Sequence, residues 1–281
     1  MYKKWIKFTF SLNKLTSMEK LKVCQVQADL LWEDIEANLR MLEGMIEQVD
    51  ADTDLLVLPE TFSTGFTMQS KQLAEGEDGK AVEWMKRMAK KKQCYISGSI
   101  IYREQDGRIY NRLLWVSPKG IEDFYDKRHL FRPGGEKEKY TQGGERKIFK
   151  LGSFRILAQI CYDLRFPVFS RNRGDYDVML YVANWPATRQ PVWEILTRAR
   201  AMENQSYLLG TNRVGTDGTG IPSIGGSCAI NPIGGEILRM DEKPGLGYAI
   251  LDLEKLRNFK EKFPAWKDAD HFELRWDSRM D

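Results

Sequence analysis

The apolar residues of this chain change period from one segment to the next, and that alternation limits the folds open to it. "LKVCQVQADL" alternates and predicts a strand, whereas Ile35, Leu39, Leu42, Ile46 and Val49 recur at helical spacing behind Asp34, near the helix N-terminus. "DLLVLPE" is a short apolar run of the kind a fully buried strand requires, and "AVEWMKRMAKKK" is a helix with a basic last turn that suits its dipole. "CYISGSIIY" and "RIYNRLLWVS" flank the turn "REQDG" and predict an antiparallel pair. "IEDFYDK", "FRILAQICYD" and "YDVMLYVANWP" follow as strands, "PVWEILTRARAMENQ" as a helix. "SYLLGTNRVG", "SCAINPIGGEILRM" and "GYAILDLE" make the remaining part strand-rich. Hairpins mixed with helix-linked crossovers mean sheet layers covered by helices, a single α/β domain.

Charge and composition narrow the partners. The chain has 281 residues, with 43 basic and 40 acidic residues giving a net charge of only +3, and no long block of one sign. Nucleic acid and anionic membrane surfaces are therefore not the expected partners, and a small molecule is. Cys24, Cys94, Cys161 and Cys228 lie far apart without a C-x-x-C pair, which excludes a zinc ribbon or redox dithiol and favours reduced thiols in the cytoplasm. His129 and His271 are the two histidines, too few for a His-rich metal site. A Cys–His dyad would have to use His129. The first residues lack a small-residue cleavage site and are too short to span a bilayer; the runner-up for them is a weak export signal. Residues 1–17 are expected to be a dispensable extension ahead of one domain, 18–281.

Three of these strands stop at a reactive or charged residue: Glu60 after "LLVLP", Lys127 after "DFYD" and Cys161 after "LAQI". Residues just beyond the carboxyl ends of strands gather at the ligand crevice of α/β folds. A thiol near pKa 8.5 is about a few per cent thiolate at neutral pH and needs a base or a positive neighbour. A carboxylate and an ammonium meeting a thiol would supply both. Each residue alone also has a plainer explanation, the cysteine as a small buried hydrophobe and the charges as solvated loop residues.

"LLVLPETF", "YDKRHLF" and "QICYDLRFP" resemble the three signature segments of the nitrilase superfamily, in the family's order, and the resemblance runs through nearly the whole chain from about Leu21. "YVANWPATR", "RARAMENQSYLLGTNRVGTDGTG" and "EKFPAWKDADHFEL" are similar to its bacterial ω-amidase branch, the 2-oxoglutaramate amidases. The resemblance implies a four-layer αββα sandwich paired into a homodimer, with the catalytic triad falling on Glu60, Lys127 and Cys161. The family's additional glutamate falls on Glu136 in "FRPGGEKEKY", with Glu138 as competitor. Cys161 is then expected to attack an amide carbonyl while Glu60 takes the thiol proton. The Lys127 ammonium and the backbone N–H of Tyr162 would hold the oxyanion, with no metal or organic cofactor required. Arg165 is a candidate for the far carboxylate of the substrate, against a structural ion pair with Asp163, and Phe131 and Trp185 are candidate pocket walls, against core packing. The implied activity is hydrolysis of the terminal amide of small ω-monoamides. The alternatives are an amidase for deaminated glutathione or N-carbamoyl substrates, a nitrilase, or a catalytically silent binding protein on the same scaffold.

Overall fold

The computed structural model describes residues 18–274, so the expectation for residues 1–17 lies outside the described residues. The first strands in chain order are β1 (Lys20–Gln27), β2 (Leu55–Val57), β3 (Tyr95–Arg103), β4 (Ile109–Ser117) and β5 (Gly120–Asp126). Next come β6 (Ile148–Leu151), β7 (Phe154–Ile160), β8 (Val178–Val182) and β9 (Tyr207–Thr211). The last are β10 (Val214–Thr216), β11 (Pro222–Ile224), β12 (Cys228–Ile230), β13 (Glu236–Arg239) and β14 (Gly245–Asp252). The long helices are α1 (Ile35–Glu47), α2 (Lys80–Lys92), α3 (Gln190–Glu203) and α4 (Leu253–Lys262).

Two six-stranded sheets result, ordered β14-β1-β2-β3-β4-β5 and β13-β12-β9-β8-β7-β6, with β10 and β11 forming a separate small ribbon. Each sheet is built around a parallel triplet, β1-β2-β3 in one and β7-β8-β9 in the other, flanked by antiparallel strands. The pleat divides each strand between two cores. Ile156, Ala158 and Ile160 of β7 meet Val23, Val57 and Tyr125 of the first sheet in the inter-sheet core, while Leu157 turns outward. Cys24, Val26 and Leu56 face outward from the first sheet onto Leu39, Leu42 and Ile46 of α1 and Val82, Met85 and Met88 of α2. Trp193 and Ala201 of α3 cover Met179, Tyr181 and Leu208 of the second sheet. The layers are therefore helix, sheet, sheet, helix, the αββα order.

Local chemistry fixes the helix ends. Asp34 accepts from the Ala37 N–H at 2.9 Å and caps α1, satisfying an N–H that the first helical turn leaves without a partner. Trp193 fits against β9 because Gly210 has no side chain; a Cβ there would lie 2.8 Å from the indole. β5 is antiparallel to β4, which is antiparallel to β3, so β5 runs in the direction of β2. The ends of β2 and β5 consequently open on the same edge of the first sheet, where β7 of the second sheet also delivers Cys161.

Candidate active site

Glu60, Lys127 and Cys161 converge at that edge, with Glu136 as a fourth member. Lys127 is the first residue after β5, and its backbone stays tied to the sheet through Lys127 N–H donating to Asn111 O at 2.9 Å. Its Nζ lies 2.9 Å from Glu60 Oε1, 3.1 Å from Glu136 Oε1 and 3.0 Å from Glu136 Oε2. All three side chains are buried. Glu138, the competitor for the fourth position, is exposed on the short turn that buries Glu136.

Every oxygen of the two carboxylates is engaged. Glu60 Oε2 accepts from the Asn184 backbone N–H at 2.8 Å, and Asn111 Nδ2 donates to Glu60 Oε1 at 2.8 Å and to Glu136 Oε1 at 3.3 Å. The Phe131 N–H donates to Glu136 Oε2. Burial alone would lower the Lys127 pKa, yet Glu136 and then Glu60 overcome it and hold the ammonium well above the usual lysine range. Burial raises the Glu136 pKa, opposed by Lys127.

Cys161 follows β7 directly and has a φ of 44°, in the left-handed region that side chains beyond glycine rarely occupy. Such positions cost on the order of 1–3 kcal/mol and persist only where surrounding structure holds them. Asp163 does the holding here. Its buried carboxylate accepts from the Ile160 N–H at 2.9 Å, the Tyr125 hydroxyl at 2.8 Å and the His129 backbone N–H at 2.9 Å, with His129 Nδ1 at 2.7 Å. His129 is thus committed to Asp163 and stacked on Phe166 at 3.8 Å, which leaves the dyad alternative without support. Burial pushes the Cys161 thiol well above its usual range, and the Glu60 carboxylate adds to this while Lys127 opposes it. A sulfur whose protonated form is favoured in this way, beside a carboxylate, suits proton transfer coupled to attack.

A cavity of about 460 Å³ opens over this group, and Tyr162, Arg165, Phe131 and Trp185 all line it. Trp185 serves both readings at once, being buried against Trp193 of α3 and lining the cavity. Arg165 does not pair with Asp163, whose oxygens are taken by Tyr125, His129 and Ile160; its guanidinium lies 5.5 Å from the centre of the Trp185 ring.

Residues 21–261 match the model of the family described as carbon-nitrogen hydrolase. The chain belongs to the carbon-nitrogen hydrolase family. It is 45% identical to omega-amidase YafV of Escherichia coli K12 across 92% of this chain and 100% of that protein. A 2-oxoglutaramate amidase of Bacillus subtilis is 29% identical over 89% of this chain and 97% of its own length. Among solved structures, XC1258 of Xanthomonas campestris, a CN-hydrolase superfamily protein with an arsenic adduct in its active site, superposes with a TM-score of 0.89. It is 38% identical and covers 92% of this chain and 100% of its own.

Three residues of this carbon-nitrogen hydrolase escape reading from the strand ends. Asn111 is a lone amide inside a fully buried strand, and Asn184 contacts Glu60 across 124 residues of sequence. Asp163 sits two residues beyond the thiol. A buried amide in an apolar strand must find partners, and this was the available signal for Asn111.

Proposed function

We propose that this hydrolase is an ω-amidase that converts the terminal amide of small ω-monoamides such as 2-oxoglutaramate to the carboxylic acid and ammonia. The amidase chemistry rests on one observation, the buried Lys127 ammonium held between Glu60 and Glu136 beside the Cys161 thiol. The choice of substrate rests on the similarity to proteins named omega-amidase and 2-oxoglutaramate amidase.

Glu60 takes the thiol proton as sulfur attacks the amide carbon, and the C=O electron pair moves onto oxygen. Lys127 and the backbone N–H of Tyr162 stabilise that oxyanion; losing one such donor typically costs about 10²–10³ in rate. Collapse breaks the C–N bond, Glu60 returns its proton to the departing ammonia, and a thioester remains on Cys161. Glu60 then deprotonates water, which attacks the thioester and releases the acid and the free thiol. Glu136 keeps the lysine charged and in place. The enzyme is a cytoplasmic homodimer in this reading; among the described residues no helix is long and apolar enough to cross a membrane.

The test is ammonia release from a panel of ω-monoamides, simple nitriles, N-carbamoyl amino acids and deaminated glutathione, with Cys161→Ala as control. Highest kcat/KM on ω-monoamides, an acyl adduct on the Cys161 peptide by mass spectrometry, and no turnover by the variant are expected. Preference for another class would replace the substrate assignment, turnover by the variant would remove the nucleophile, and no turnover of any of these substrates by the wild type would readmit a silent scaffold.

A further inference from the structure

Four cations line the cavity, Lys127, Arg165, Arg189 and Arg213, and they divide into two kinds. Lys127 is neutralised by Glu60 and Glu136. Arg213 is buried and spends its guanidinium on Asp29 Oδ1 at 3.2 Å and on the carbonyls of Leu30 and Val214. Among the described residues, Arg165 and Arg189 pair with no carboxylate. Two other acids line the cavity and hydrogen-bond elsewhere: Glu33 accepts from the Thr67 hydroxyl, and Asp217 accepts from Thr219 and Ile221 within its own turn.

Both guanidiniums lie near aromatic rings that are themselves tied to the site. Arg189 lies 5.0 Å from the centre of Phe131, whose N–H donates to the Glu136 carboxylate. Arg165 lies 5.5 Å from the centre of Trp185, whose indole N–H donates to the Arg189 carbonyl at 2.8 Å. Trp185 therefore links the two arginines, and Phe131 links Arg189 to the catalytic carboxylates. Stacking of this kind orients a guanidinium while leaving its N–H edge free for a planar anion.

We infer that Arg189, acting with Arg165, is the specificity element that grips the far carboxylate of the substrate. This rests on the ω-amidase reading above and assigns its anionic subsite. A guanidinium accepts a carboxylate bidentately, and the second arginine has donors for an adjacent carbonyl oxygen, the pattern a 2-oxo acid presents. The ligand class is therefore an amide with a carboxylate at its far end, best with a 2-oxo group beside it. A neutral amide leaves both charges uncompensated in the cavity.

The experiment compares glutaramate with pentanamide, which replaces the far carboxylate by a methyl group, in the wild-type enzyme and in Arg189→Met and Arg165→Met. The wild type is expected to favour glutaramate. Each variant is expected to lower the ratio of the two kcat/KM values by roughly 10- to 100-fold, the loss of hydrogen bonds to a charged group, chiefly through KM for glutaramate. Arg189→Lys keeps the charge without the fork and should fall between. A wild-type enzyme without preference for glutaramate would overturn the ω-monoamide reading itself. A wild-type preference that survives in Arg189→Met would overturn the present inference alone. If Arg189→Met does not fold, Arg189→Lys decides the same point, since an undiminished ratio there removes the need for a planar fork.

Discussion

The Cys161 thiol is surrounded by opposing charges, so its titration reads out the site directly. Burial and the Glu60 carboxylate raise its pKa, and Lys127 lowers it. The sign of each substitution follows. Glu60→Gln removes a negative neighbour and should move the pH midpoint of iodoacetamide alkylation downward. Lys127→Met removes the opposing positive charge and should move it upward. Both variants should also lose turnover, Lys127→Met by about 10²–10³ in kcat and Glu60→Gln in acylation and deacylation alike. Measuring alkylation rates against pH separates the electrostatics from the chemistry. Midpoints that shift together, or remain where the wild type has them, would show that the two side chains do not face the sulfur as described. The plainer explanation for Cys161, a small hydrophobe at a strand edge, predicts no such opposite shifts.

At the scale of elements, the first question is where the domain starts. Met18 is buried in the inter-sheet core, and the Glu19 carbonyl accepts from the Leu253 N–H at 2.8 Å, so packing reaches at least to residue 18. The family match begins at residue 21. Deleting residues 1–17 should leave ammonia release and melting temperature unchanged within about 0.5 kcal/mol of stability, while a large fall in melting temperature would give that segment a packing role. The strands and their ends are legible because apolar runs must be buried and because Glu60, Lys127 and Cys161 interrupt them abruptly. The partners of those residues are not legible. Asn111 meets Glu60 across 51 residues once β2 and β4 share the first sheet, and Asn184 meets it across 124 only once the two sheets have docked. "SCAINPIGGEILRM" likewise hides a division into β12 and β13, made by Asn231 accepting from the N–H groups of Ile233 and Gly235 at 2.9 Å. α3 is a third such case: its apolar residues occupy more than one face, but the pattern alone does not say which face the second sheet takes.

For the whole molecule, the face of α3 left over is where a prediction about assembly starts. Trp193, Thr197 and Ala201 point into the core, while Ile195 and Met202, seven positions apart and so on one face, are 66% and 50% exposed. The segment after α4 leaves Phe263 and Trp266 exposed at 60% and 49%. The segment is anchored beside α3, because Gln205, just beyond that helix, donates to the Phe263 carbonyl at 2.9 Å and accepts from the Trp266 N–H at 3.0 Å. Gln205 thus ties the segment after α4 to the end of α3, and large exposed hydrophobics of this kind are what a second copy covers. We predict an isologous two-fold dimer through α3 and the segment after α4, burying at least roughly 1,200 Å² in total. Light scattering at micromolar concentration should give twice the mass of the 32.6 kDa chain, and Ile195→Asp, which places a charge in that face, should shift the mass toward the monomer. A wild-type monomer with full activity would remove the dimer, and a dimer unaffected by Ile195→Asp would move its interface to another face.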